Sequence, residues 1–439
     1  MFFKTIFKLI FLTCFFAFYP LFSQVYVPID TADEGFRSKL KANYESIFES
    51  YNTQLKTSYR GKVRSELLNN SESFQKEFYD EIAEGQFVSD SRFQQMLDEI
   101  LKELQSGNPE IPENLRILLS KYPSVNAYAV PEGTIVVNMG CFYFLENEDQ
   151  LASIIAHEIA HNVLDHMVKN QIKIIDEELS DKYKGKIKSI QKKKYGRNEQ
   201  AFQMMQNLLY EEGNMRRTHE KEADSLGFKF YTGTRYKDDE FINAFKLLQR
   251  YDTLKPAGLP VNVYKKYFDL PNQAFKEDWL EMEDFSQYDY SKFKEKINRD
   301  SISSHPEALQ RIEFLQKSFP KLLEASSPAP PTDAFLELQN IATWEEVPNL
   351  FFLKEYGLSI YICLLRLNED LDAGFYRYWL GKSFEKVYEA RKQYKLNRYL
   401  ETVNPKEQSE SYMQFLSFMW NLNLDELKNI ADYYTQTGI

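Results

Sequence analysis

HEIAHNVLDH, residues 157–166, holds three of the five histidines in a chain of 439 residues. His157 and His161 are four apart, and Glu158 directly follows the first. On a helix that spacing sets the two imidazoles about 40° apart, one turn above the other. The flanks read as helix. Asn147 and Gln150 form a capping-box pattern in NEDQ, Leu151, Ile155 and Ile159 make one apolar stripe, and Ala152, Ala156 and Ala160 make a small-residue stripe beside it. A helix of that kind is built to be buried, where two imidazoles and a carboxylate are costly unless something satisfies them. A zinc ion does so, with three protein ligands at a catalytic site, and Glu158 is then placed as a general base. The competing reading is a pair of hydrogen-bonded structural histidines.

A third ligand has to come from elsewhere, and THEKEADSLGFKF, residues 218–230, offers a helix for it. Glu220 and Asp224 share one face there, while Glu222 points away from both. That pairing favours Glu220 as the ligand, with Asp224 fixing a histidine ring through its other nitrogen. His219 is the other candidate. His166 is five residues past His161, about 140° round a continuous helix, and is not expected to be a ligand.

Working outward, the chain is helical in pattern from Thr31 to Gln105. Phe93, Met96, Leu97, Ile100, Leu101 and Leu104 keep the helical period behind a cap at Ser89 or Asp90. Shorter β-like pieces follow at LRILLS (from 115), VNAYAV (from 125) and TIVVNM (from 134), with the turn PEG at 131–133. Helix is expected again from about Asn147. The lysine-rich stretch 169–197 reads as a solvated excursion. EASSPAPPTD, 324–333, reads as a linker. Beyond it, 334–439 is aromatic-rich and helical in period. The expected organisation is a leader at 1–23, a helical N-terminal part at 24–114, a core at 115–323, that linker, and a helical accessory domain at 334–439.

The leader expectation rests on Lys4 and Lys8, a short apolar run from Leu9 to Phe22, and a small residue at Ser23. The run is short for a bilayer span; an uncut anchor is the alternative. Loss of the two leader lysines takes the net charge from −11 to −13. So acidic a chain is a poor general binder of nucleic acid. Cys141 and Cys363 are too few for a disulfide framework. With 43% hydrophobic and 27% charged residues the composition is that of a folded protein.

Four segments in order carry a resemblance: NAYAVPEGTIVVNMG (126–140), ENEDQLASIIAHEIAHNVLDH (146–166), EKEAD (220–224) and SSHPEALQRI (303–312). Together they resemble the M48 family of zinc metallopeptidases over about residues 115 to 320. The resemblance implies an α+β, mostly helical zincin-like domain, its small sheet beside the active-site helix, followed by a helical C-terminal domain. It implies one Zn²⁺ per chain on His157, His161 and Glu220, with Glu158 catalytic and Asp224 behind a ligand. His305 and Arg311 would stand at the cleft, His305 as a plug of the open metal position or an oxyanion donor.

The expected activity is endoproteolysis of extended or misfolded proteins of the cell envelope, with protein or peptide substrates and no nucleic acid. No membrane span is expected after leader cleavage, and the periplasm is the expected location. Substrate would lie along an exposed strand, with Asn126, Ala127, Tyr128 and Ala129 as its contacts. The rival is a chaperone or assembly factor whose metal site is regulatory or silent.

Overall fold

The computed structural model describes residues 26–29, 33–181, 184–185, 188–189, 197–253, 258–282, 308–323, 328–369, 371, 373–404 and 408–437. The leader and His305 lie outside the described residues. Two long helices come first, α1 (Glu34–Ser58) and α2 (Gly61–Ala83), then α3 (Ser91–Gly107), whose Asp90 side chain accepts from Arg92 N–H. Strands β1 (Arg116–Ser120), β2 (Ala127–Ala129) and β3 (Thr134–Asn138) form one sheet in the order β1-β3-β2. β1 runs parallel to β3 and β2 antiparallel to it, so β3 is central and β2 an edge. All five residues of β3 are buried, as a near-continuous apolar strand requires. The β2–β3 turn closes where PEG predicts, through Val130 N–H to Thr134 O (2.7 Å), with Gly133 at φ 98°.

A short helix absent from the sequence reading, α4 (Met139–Phe144), directly continues β3. Next comes α5 (Glu148–Val163), carrying the histidine pair. Asn147 Oδ1 accepts from Gln150 N–H (2.9 Å), and Gln150 Oε1 answers by accepting from Glu146 N–H (2.9 Å). Glu148 and Asp149 in its first turn suit the helix dipole. α6 (His166–Leu179), α7 (Arg197–Thr232) and α8 (Asp238–Thr253) follow, then α9 (Asn262–Phe268) and α10 (Ala308–Ser318). α5 packs chiefly on α7, with α8 and the sheet around it. The start of the lysine-rich stretch is packed helix rather than a solvated excursion, because Val168 and Ile175 of α6 bury against Leu55 and Leu67.

The C-terminal helices are α11 (Asp333–Phe352), α12 (Tyr356–Asn368), α13 (Ala373–Lys392), α14 (Glu410–Asn421) and α15 (Leu424–Thr437). Packing cuts across the expected domain limits at 323 and 334. α11 sends Phe335, Leu338 and Ile341 into the core around the sheet and α5, and Val347 into the C-terminal core. Leu259, Val263, Tyr264, Phe268 and Trp279, all before the proline-rich stretch, join that C-terminal core. Nor is the end of that stretch loose. Ala329 N–H donates to Glu240 Oε1 (2.8 Å), and Ala329 O accepts from Asn147 Nδ2 (3.0 Å) at the cap of α5. Composition reports local stiffness and polarity; it does not report which apolar faces meet. Among the described residues, no helix is long and apolar enough to cross a membrane.

Candidate metal centre

Three side chains from two helices converge. His157 Nε2 and His161 Nε2 stand 3.0 Å apart, and Glu220 of α7 reaches each of them at 3.5 Å. His157 and Glu220 are buried, and His161 is partly open. Helix α7 comes this close because Gly227 has no side chain. A Cβ there would sit 2.9 Å from the Cα of His157.

The other nitrogen of each ring is also engaged. His157 Nδ1 lies 3.0 Å from Asp224 Oδ1. Asp224, with no exposed surface, is gripped by Arg311 of α10 through Nε to Oδ2 (3.0 Å) and Nη2 to Oδ1 (2.6 Å). Burial alone would raise the Asp224 carboxyl, but the Arg311 charge and the His157 hydrogen bond hold it below its usual range. For His157, burial and the Arg311 charge press downward. Its hydrogen bonds to Asp224 and Glu220 outweigh them and carry the imidazole up to about 9. A metal held by this ring would have to displace that proton, so binding would release it.

Arg311 does not stand at the cleft as expected. It is buried against His157, with Nη2 3.2 Å from His157 Nε2 and 3.3 Å from Nδ1, its guanidinium 4.3 Å from the ring centre of Phe245 and Nη1 3.4 Å from Glu220 Oε2. Its place on α10, packed against α7 and α8, points it inward onto Asp224.

On the open side, Asn126, Ala127, Tyr128 and Ala129 line one cleft with Glu158, His161 and Glu220. Only the edge strand β2 faces it; β3 is covered. Glu158 Oε2 accepts from Ala129 N–H (3.0 Å), and Asn162 Nδ2 donates to Val130 O (2.8 Å), pinning α5 to this edge. Asn126 and Val130 pair with β3 through their backbones, so alternation turns the amides of Ala127 and Ala129 outward.

Sequence reasoning set aside two residues that the structure brings to the site. His166 Nδ1 lies 2.9 Å from His161 Nδ1, and His166 Nε2 lies 3.1 Å from Glu222 Oε2. The 140° separation does not apply, because Asp165 at φ 53° and ψ 33° breaks the helix and turns α6 back. Asp tolerates that left-handed backbone, and the Leu-Asp step before His166 was the one available signal. Burial, with His161 and His219 beside it, pushes His166 down to about 3, so it is neutral. His219 is not in the trio; its ring stacks on His166 at 4.1 Å.

The trio fits zinc. A tetrahedral ion with bonds of about 2.0–2.1 Å separates its ligand atoms by roughly 3.4 Å; here the two Nε2 atoms are 3.0 Å apart, and Glu220 stands 3.5 Å from each, through Oε2 to His157 and Oε1 to His161. With both Nδ1 atoms engaged, the two Nε2 atoms and the Glu220 carboxylate are left facing one another. That arrangement calls for a cation.

A helix bearing two histidines and a glutamate, a glutamate from a second helix, and an edge strand over the same cleft make an arrangement that could hold a metal ion beside a strand edge. The model of Peptidase family M48 matches residues 89–318, and the chain belongs to that family of zinc-dependent metallopeptidases. Its α+β, mostly helical architecture agrees with that membership. A search of curated proteins finds no match to the chain.

Proposed function

We propose that this chain is a zinc-dependent endopeptidase that cuts internal bonds of extended or misfolded proteins, with His157, His161 and Glu220 as the metal ligands. The observation that carries the reading is the facing of the two Nε2 atoms and the Glu220 carboxylate across 3.0 and 3.5 Å, beside an open strand edge. A zinc ion held by these three residues would supply Lewis acidity toward water and a scissile carbonyl.

The protein's own groups do the rest. Glu158 takes a proton from the attacking water onto its carboxylate and delivers it to the departing amine. Residues 126–129 hold substrate as an added strand, with the outward amide of Ala127 as its partner, since that of Ala129 already donates to Glu158. Recognition through backbone amides reads extension rather than side-chain identity, which suits unfolded clients. Asp224 holds the His157 ring, and Arg311 keeps Asp224 ionised. The leader-like first 23 residues support delivery to the periplasm or envelope.

The test is casein digestion by wild type and Glu158→Gln, with metal content measured on the same samples. Wild type should cleave, stop with a chelator and recover with added zinc. Glu158→Gln should keep one zinc and lose cleavage. Full activity in the zinc-loaded variant rules out Glu158 as the base.

A further inference from the structure

We propose that Glu222, acting through His166, is a positioning residue that fixes the tautomer and ring plane of His161 and so strengthens its bond to the metal. The inference rests on the metal reading above and extends it to residues that touch neither metal nor substrate.

The argument is one of proton placement. His161 presents Nε2 to His157 Nε2 and Glu220, so a metal held there needs that nitrogen's lone pair, and the ring proton belongs on Nδ1. His161 Nδ1–H then donates across 2.9 Å to His166 Nδ1, which has to be an acceptor. The His166 proton is therefore on Nε2, and it donates across 3.1 Å to Glu222 Oε2. Reversing either tautomer would set two N–H groups, or two lone pairs, against each other.

Each ligand histidine is thus backed by a carboxylate, His157 directly by Asp224 and His161 through an interposed imidazole. A carboxylate behind a ligating imidazole orients the ring and raises its basicity. His219 stacks on His166 with 5° between planes, which fixes the plane of the middle ring.

The same three side chains, His166, His219 and Glu222, also have ligand atoms within 4.8 Å of one another, close enough to suggest a second metal site. Ring geometry disfavours it. Parallel imidazoles 4.1 Å apart direct their in-plane lone pairs side by side, whereas one ion needs them to converge.

The experiment is zinc titration against a chelator of known affinity on the full chain and on Glu222→Ala, Glu222→Gln and His166→Phe. Unfolding of the zinc-free forms is measured alongside. Glu222→Ala and His166→Phe should weaken zinc binding by about 10- to 100-fold. Glu222→Gln, which keeps an acceptor oxygen, should recover part of the loss. Cobalt-substituted Glu222→Ala should show a shifted visible spectrum, which a purely structural residue would not produce. Unchanged zinc affinity in all three variants overturns the relay and leaves the metal site standing. Two zinc ions per wild-type chain, falling to one in Glu222→Ala, overturns it in favour of a second site. A wild type that binds no zinc overturns the metal reading itself, and the relay with it.

Discussion

Arg311 meets Asp224 in a two-point grip, with Nη2 2.6 Å from Oδ1 and Nε 3.0 Å from Oδ2, both side chains buried beneath His157. Breaking one partner of a buried pair strands the other charge, at a cost of about 3–5 kcal/mol. Arg311→Met should lower unfolding stability by that order even in zinc-free protein. Arg311→Lys should recover little, because an ammonium cannot reproduce the fork. Denaturant unfolding of the zinc-free proteins measures both, and equal midpoints for wild type and Arg311→Met would remove Arg311 from the frame of the site.

Gly227 marks the crossing of α7 and α5, where a methyl would lie 2.9 Å from His157 Cα and 3.1 Å from Ala156 O. The neighbours are backbone atoms of a buried helix and cannot yield as a side-chain tip can. Gly227→Ala should cost about 1–3 kcal/mol. It should also weaken zinc binding, because the crossing sets how far Glu220 stands from the histidines. A variant with native stability and native zinc affinity would show that the crossing has slack.

Glu345 accepts from Tyr26 Oη and from Ile29 N–H, each at 2.6 Å, and so ties residues 26–29 to α11. Burial, the largest influence, raises its carboxyl above the usual range despite those two donors. A carboxyl raised in the folded state favours the neutral form. Its contribution is therefore greatest below the unfolded value of about 4.3 and declines as pH rises through the folded one. Glu345→Gln titrates at neither end, so its stability minus that of wild type should grow as pH rises from about 4 and level off above the folded value. A difference that stays flat over that window contradicts the assignment.

Much of the centre could be read from the chain because it lies inside uninterrupted elements. The four-residue spacing of His157 and His161, the Glu220–Asp224 face, the cap at Asn147 and the turn at Gly133 each follow from a period or a local hydrogen bond. The short helix Met139–Phe144 escaped because its apolar run has no length over which a period can show.

The sequence by itself determined the helix that carries the histidines, the residue types able to hold a cation, and the three strands. Only the tertiary structure decided that β2 is the edge open to the cleft, that Arg311 is buried against His157 and Asp224, and that His166 turns back to His161 with Glu222 behind it. Angular spacing holds within one helix and ends at its first break. At Asp165 a single left-handed residue redirects the chain, and past it proximity depends on which apolar faces bury one another.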